Sequence, residues 1–359
     1  MTASATAHCG LSLEIARSQQ CDQAGRHGEA VDWLVAGVRK NDVEAITRLG
    51  KRLLIGDHAP YLPREAVRFL TDARDRGGGE AAAILAVCAA TGADGAQPNM
   101  PLAWRNLVLS AERGWKPAQD QLRVLGGVDP ATWWSSPSPN RTCTTTPGLR
   151  LMPYHGSNPP AAADVHTNPL IRSHLRFIEP QMAQWVIEKA RSRLTRAMVY
   201  DAASRETTTH ATRTNTSTSF DLLETDLVCV LLQWRMAACL GLPFRHFEAL
   251  TVLHYDVGEE VSEHFDFVDP KVPNYEQHLR ARGQRVVTFL VYLNDDYDGG
   301  ATEFPRLGVS HKGQAGEGFF FVNAFADGRP DVRTLHAGRA PTRGEKWIVS
   351  QFVKNQPAF

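Results

Sequence analysis

The sequence predicts an α+β protein of two domains: an N-terminal α-helical repeat solenoid, then a double-stranded β-helix, or jelly roll, with flanking helices. Three observations carry this expectation. Residues 27–126 are rich in Ala, Leu, Arg and Gly, with apolar positions at helical spacing. Residues 165–356 end in short apolar runs separated by Gly- and Asp-rich turns, the pattern of a jelly roll. Between them, residues 127–153 hold a Pro/Ser/Thr-rich stretch that reads as an extended linker. At 359 residues the chain is long enough for each half to bury its own core.

The helical half repeats with a period of 36 and then 37 residues: Ala30, Ala66 and Ala103 align, as do Leu34, Leu70 and Leu107, then Ala45, Ala81 and Ala118, then Leu49, Leu85 and Leu122. Each unit reads as a helical hairpin that cannot bury its apolar face alone, so neighbours must stack. Gly37, Ala73 and Ser110 share one position, where close helix approach requires a small residue, and Gly56 and Gly92 stand where a second helix would end. Units written A-x-x-x-L twice over with this period resemble the Sel-like subgroup of tetratricopeptide-type repeats, although the terminal G-x-G-x-x-x-D features are only partly present. The resemblance implies a concave face that binds peptides or partner proteins; a helical prop for the second half is the alternative.

In the second half a helical stretch runs from Pro180 to Leu194, and the Thr/Ser/Arg-rich segment from Ala202 to Ser219 reads as a loop. The apolar run from Leu222 to Leu242 is interrupted by Glu224, Asp226, Gln233 and Arg235, which marks a core helix rather than a membrane span. The runs ALTVLHYDV, RVVTFLVYLN, GFFFVNAF and KWIVSQFVK then read as strands of a cupin-type jelly roll.

Composition excludes several partners. Lys+Arg and Asp+Glu are both 39, so no global field draws the chain to nucleic acid or an anionic membrane. The six cysteines are scattered, with no C-x-x-C pair, which suits a reducing compartment. The first twenty residues hold no unbroken apolar run with a basic flank, so they do not read as a secretory signal, and the cytosol is the expected location.

The chemistry centres on His264-Phe265-Asp266, with His336 following seventy-two residues after His264. On a strand, residues two apart project to one face, so His264 and Asp266 can grip one ion while Phe265 points away. Two imidazoles and one carboxylate on one face of an octahedron leave positions open, the ligand set of non-haem Fe(II) oxygenases. The surrounding stretches HYDVGEEVSEHFDF, RVVTFLVYLNDDYDGGATEFP and TLHAGRAPTRGEKWIVSQF resemble the prolyl 4-hydroxylase group of 2-oxoglutarate dioxygenases, from about Leu175 to Val353.

The resemblance implies iron ligands at His264, Asp266 and His336, and a basic anchor for the distal carboxylate of 2-oxoglutarate at Lys346, ten residues after the last ligand. Lys346 is also odd on its own terms, because both faces of its strand are largely apolar and a half-buried ammonium needs an anion. Tyr255 and Thr302 match the family's neutral donors to the cosubstrate, and Arg285 matches an arginine near the prime substrate. Phe352 and Lys354 depart from the pattern that meets the peptide. The polar segment from Asp269 to Gln284, with Ala202 to Ser219, is expected to form a lid.

The activity so implied consumes O₂ and 2-oxoglutarate, releases succinate and CO₂, and hydroxylates an aliphatic carbon, in the first instance a prolyl residue of a peptide or protein, with ascorbate as reductant. An aspartate rather than a glycine at the carboxylate position favours hydroxylation over halogenation. Two alternatives stay open: a hydroxylase of a free amino acid or small natural product, and a non-catalytic, cupin-like interaction module.

Overall fold

A computed structural model describes residues 11–126, 162–197, 212–325 and 327–358, with the backbone alone at 199–201 and 206–208. The linker expected at 127–153 lies outside the described residues. The chain divides into two compact units, Met1–Arg123 and Val124–Phe359.

The first unit is helical throughout: α1 (Leu13–Gln23), α2 (His27–Arg39), α3 (Val43–Ile55), α4 (Pro63–Asp75), α5 (Gly79–Thr91), α6 (Met100–Glu112) and α7 (Lys116–Leu125). The three expected hairpins are α2–α3, α4–α5 and α6–α7, and α1 precedes them, an element not anticipated from the period. The aligned alanines and leucines are buried, apart from Leu122, which is half-exposed on the last described helix of the array. Gly37 is required by close approach, since a Cβ there would lie 2.5 Å from that of Ala45. Gly56 and Gly92 end α3 and α5 in the left-handed conformation, each donating its N–H four residues back.

In the second unit, α8 (Pro180–Arg191) and α9 (Leu227–Leu240) accompany a sheet pair. Helix α9 begins later than the apolar run because Asp226 caps it, accepting from the Cys229 N–H at 2.9 Å while also holding Trp185 and Lys189 of α8. The strands are β1 (Ala162–Thr167), β2 (Leu170–His174), β3 (Thr195–Arg196), β4 (Val199–Asp201), β5 (Glu206–Thr208), β6 (Thr216–Phe220), β7 (Leu250–Tyr255) and β8 (Val261–His264). They continue as β9 (Arg285–Tyr292), β10 (Asp298–Gly299), β11 (Thr302–Phe304), β12 (Val309–His311), β13 (Gly318–Val322), β14 (His336–Gly338), β15 (Pro341–Arg343) and β16 (Lys346–Lys354).

An eight-stranded sheet of order β1-β2-β13-β9-β16-β7-β6-β3 faces a four-stranded sheet of order β12-β11-β14-β8, and the pairings given by register are antiparallel. One cluster fills the space between them: Ile171, Tyr255, Leu290, Tyr292, Phe319, Phe321 and Ile348 from the large sheet meet Val261 and Phe304 from the small one. This is the expected jelly roll.

Two expectations about loops need correction. The segment 202–219 is not one loop: β5 lies within it, and β6 pairs with β7 from Thr216↔His254 to Phe220↔Leu250. Its Thr and Ser residues read as loop by polarity, yet threonine suits a pleated, half-buried surface. The segment 269–284 contains a helix, α10 (Tyr275–Arg282), with no buried residue. Its base is pinned by Gln284, whose side chain accepts from the Val268 N–H at 2.7 Å and donates to the Val268 carbonyl at 3.2 Å. No described helix is long and apolar enough to cross a membrane.

Candidate metal and cosubstrate site

His264 ends β8 and His336 opens β14, and the two are direct partners in the antiparallel ladder, with ring centroids 4.3 Å apart. Asp266 lies just beyond the end of β8. Its Oδ1 is 3.4 Å from His264 Nε2 and its Oδ2 is 3.4 Å from His336 Nε2, so the three donors converge. Phe265, between the two ligands, stacks on Phe267 instead.

The tautomers follow from the backbone. His264 Nδ1 lies 2.8 Å from the Ser262 carbonyl and His336 Nδ1 lies 3.1 Å from that of Thr334. A carbonyl can only accept, so each Nδ1 carries the proton and each Nε2 presents its lone pair to the common point. Burial, against the pull of Asp266, holds the His336 imidazole down at about 4. Burial alone would raise the carboxyl of Asp266, but the two imidazoles and the Thr288 hydroxyl hold it well below the usual carboxylate range. His264 is the ligand that meets solvent, its side chain 36% exposed against 7% for each of the others. Burial would lower the His264 imidazole, but Asp266 raises it; once both Nε2 atoms are deprotonated, two imidazoles and a carboxylate suit a divalent first-row metal.

Lys346 opens β16 opposite Tyr255 of β7. It is deeper than the half-buried position expected, at 1% exposure, and its Nζ donates to the Gly300 carbonyl at 2.8 Å. No carboxylate is paired with it among the described residues, and burial pulls its ammonium down to about 7. The Nζ lies 5.0 Å from the Tyr255 ring and 5.8 Å from the Tyr292 ring. Gly300 must be glycine here: its φ is +66°, and a Cβ would meet the Tyr297 ring at 2.8 Å. Thr302, two residues on, shares a hydrogen bond of 2.9 Å with the Tyr292 hydroxyl. Burial pushes the phenols of Tyr255 and Tyr292 far up, so both stay neutral.

The two clusters are linked by β14. Thr302 pairs with Gly338, and the Tyr255 hydroxyl lies 3.1 Å from where a Gly338 Cβ would stand. Only Ala337 separates Gly338 from His336 on β14, so Thr302, Tyr255 and the histidine ligand are gathered along one short strand.

Arg285 stands apart from these residues. Its Nε and Nη2 fork onto Glu248 at 2.8 Å each, and its guanidinium lies 3.8 Å from the Phe352 ring centroid. Lys354 shares the same carboxylate at 3.5 Å. Burial would raise the carboxyl of Glu248, but Arg285 and Lys354 hold it low. Of the two residues that depart from the family pattern, Phe352 carries the Arg285 guanidinium and Lys354 shares its carboxylate partner.

Residues not singled out from the sequence complete the site: Tyr292, Gly338, Thr288 and Asn323. Thr288 is a hydroxyl in the largely apolar run Val286–Leu293, but nothing local to that run links it to Asp266.

Residues 250–354 match the family model of the 2OG-Fe(II) oxygenase superfamily. Prolyl 4-hydroxylase subunit alpha-1 of Gallus gallus is 31% identical over 201 residues, 56% of this chain and 39% of that protein. The chain therefore spans about two-fifths of the length of that relative. Among solved structures, viral collagen prolyl hydroxylase of Paramecium Bursaria Chlorella virus-1, in a 2OG complex, is 25% identical over 51% of this chain and 94% of its own, with a TM-score of 0.40. A Sel1 repeat protein of Oxalobacter formigenes is 22% identical over 31% of this chain and 46% of its own, with a TM-score of 0.29.

Proposed function

We propose that this chain, which carries a 2OG-Fe(II) oxygenase domain similar to prolyl 4-hydroxylases, couples oxidation of 2-oxoglutarate to hydroxylation of a prolyl residue in a peptide or protein. The observation that carries the reading is a convergent His-Asp-His set in the same jelly roll as a buried lysine with no counter-ion among the described residues.

His264 and His336 would hold iron through Nε2 and Asp266 through its carboxylate. Bound iron with 2-oxoglutarate supplies the oxidising chemistry: one oxygen atom of O₂ enters succinate as CO₂ leaves, and the other enters a substrate C–H bond. Lys346 neutralises the distal carboxylate, and Tyr255 and Thr302 orient it as neutral donors. The aromatic wall of Phe304, Phe319 and Phe321 excludes water from the inner end. Arg285, held still by Glu248 and Phe352, is the proposed contact to the prime substrate, and residues 269–284 are the proposed lid. The helical hairpins are proposed to capture a protein-borne substrate. Ascorbate as reductant and a cytosolic location complete the reading; the described thiols Cys21, Cys88, Cys229 and Cys239 are all free, in keeping with a reducing compartment.

The test is incubation of the full chain with Fe(II), 2-oxoglutarate, O₂ and ascorbate against proline-containing peptides, free proline and other free amino acids. Mass spectrometry is expected to find one added oxygen on the peptides, with matching succinate. Product from free amino acids alone would replace the substrate assignment, and absence of succinate under every condition would leave an interaction module.

A further inference from the structure

Asp266 is gripped from behind by a buried polar chain that the proposed reaction does not itself use. Thr288 of β9 lies with its Oγ1 2.7 Å from Asp266 Oδ2, and Asn323, the residue after β13, lies with its Nδ2 2.8 Å from the same Oγ1. All three side chains are buried. An ionised carboxylate has no proton to give, so the Thr288 hydroxyl must donate to Asp266. Thr288 can then only accept from its other neighbour, which requires the amide nitrogen of Asn323 and not its oxygen. The chain is therefore polarised in one direction, from amide to hydroxyl to carboxylate.

Asn323 is itself fixed from both sides. Its N–H donates to the Val286 carbonyl at 2.8 Å and its own carbonyl accepts from the Asp331 N–H at 2.9 Å, ties that bind the end of β13 to β9 and to the segment leading into His336. Asn323 Oδ1 has no partner among the described residues, a cost borne inside the core. Neither residue packs as an apolar filler would: a valine and a leucine of similar volume would spare the unpartnered oxygen.

We propose that Thr288 and Asn323 are positioning residues that fix the orientation of the Asp266 carboxylate towards the point it shares with His264 and His336. The inference rests on the iron site proposed above. Its consequence is metal affinity, because a carboxylate already held in place loses less freedom when the ion binds. Outer residues of this kind tune affinity and geometry without touching the ion.

The test uses Co(II) titrated into the metal-free full chain, read by its visible ligand-field bands, with no turnover required. Wild type and Thr288→Ser, which keeps the hydroxyl, are expected to bind alike. Thr288→Val, nearly isosteric but without the donor, is expected to bind about 10–100-fold more weakly, with altered band intensity as the carboxylate loses its fixed orientation. Asn323→Leu, which never meets Asp266, is expected to show a smaller loss in the same direction. If Thr288→Val does not fold, Thr288→Ser and Asn323→Leu carry the comparison. Wild-type affinity and unchanged bands in Thr288→Val or, in its place, Asn323→Leu overturn the proposal while leaving the metal site intact. Absence of Co(II) bands in wild type, or their survival in His264→Ala, overturns the iron-site reading and the positioning role with it.

Discussion

The space between the helices of the first unit is filled by columns of Ala30, Ala66, Ala103, Leu34, Leu70 and Leu107, and its buried hydroxyls bond nearby backbone carbonyls, Thr47 to Val43 and Ser110 to Gly79. The space between the sheets of the second unit holds Asp266, His336, Lys346, Thr288 and Asn323 among its aromatics. Removing a charge from water costs several kcal/mol, and the buried carboxylate of the first unit, Glu14, is paired with Lys40 at 2.5 Å. On the proposed reading, the difference separates a core that pairs its charges from within from one whose Lys346 awaits a dianion and whose His-Asp-His set awaits a metal.

The sharpest way to break that contrast is Asp266→Ala. Two imidazoles alone hold Fe(II) poorly, so iron binding and succinate release are expected to vanish together; succinate production at the wild-type rate would remove the metal assignment. Next, Lys346→Ala is expected to leave iron affinity intact and to weaken 2-oxoglutarate by at least about tenfold, a charge-assisted pair being worth roughly 1.5–3 kcal/mol. An unmoved 2-oxoglutarate affinity would put the anchor elsewhere.

Lys346 also predicts a pH dependence. Its buried ammonium titrates near 7, against 10.5 in the unfolded chain. Below about 7 it is charged in both states and the cost of burial is fully present. As pH rises from 7 towards 10.5 the unfolded chain retains the proton that the folded one has lost, so stability of the ligand-free protein rises across that window. Binding a dianion restores the ammonium and must take up a proton there. The affinity for 2-oxoglutarate is therefore expected to fall about tenfold per pH unit above 7, and to stay level in Lys346→Arg.

A change confined to the other core should do the reverse. Leu70→Ala is expected to cost about 2–5 kcal/mol in thermal or denaturant unfolding of the hairpin unit while iron and 2-oxoglutarate affinities stay unchanged. If the hairpins capture substrate, only hydroxylation of long or protein-borne substrates falls, because a second surface acts by raising effective concentration. If they prop the second unit, turnover of every substrate falls alike. The smallest effect is expected from Arg285→Gln: a severalfold rise in KM for a peptide, with 2-oxoglutarate affinity untouched. A shift in the latter would move Arg285 into the cosubstrate slot.

The contrast also explains what could be read from the chain. The hairpins were legible because every repeat makes the same demand, small at Ala30 and large at Leu34, at a fixed interval. His264 and Asp266 stood out because a two-residue spacing puts both on one strand face, whereas His336 and Lys346 rested on the resemblance to prolyl 4-hydroxylases. Thr288 and Asn323 were not legible, since their meaning depends on which strands lie side by side, a long-range register that no local pattern encodes. For the same reason β6 was hidden: only its partnership with β7 makes a strand of Thr-Ser-Thr-Ser-Phe. Helix α10 has no buried face, so it left no apolar period to detect.

The most direct measurement is an anaerobic titration of the full chain with Fe(II) and then 2-oxoglutarate, followed by the visible charge-transfer colour of a 2-oxo acid chelated to ferrous iron. The wild-type chain is expected to develop the colour with one iron and one 2-oxoglutarate bound, Lys346→Ala only at higher 2-oxoglutarate, and Asp266→Ala not at all. A colourless wild-type protein, or equal colour in all three, would contradict the account.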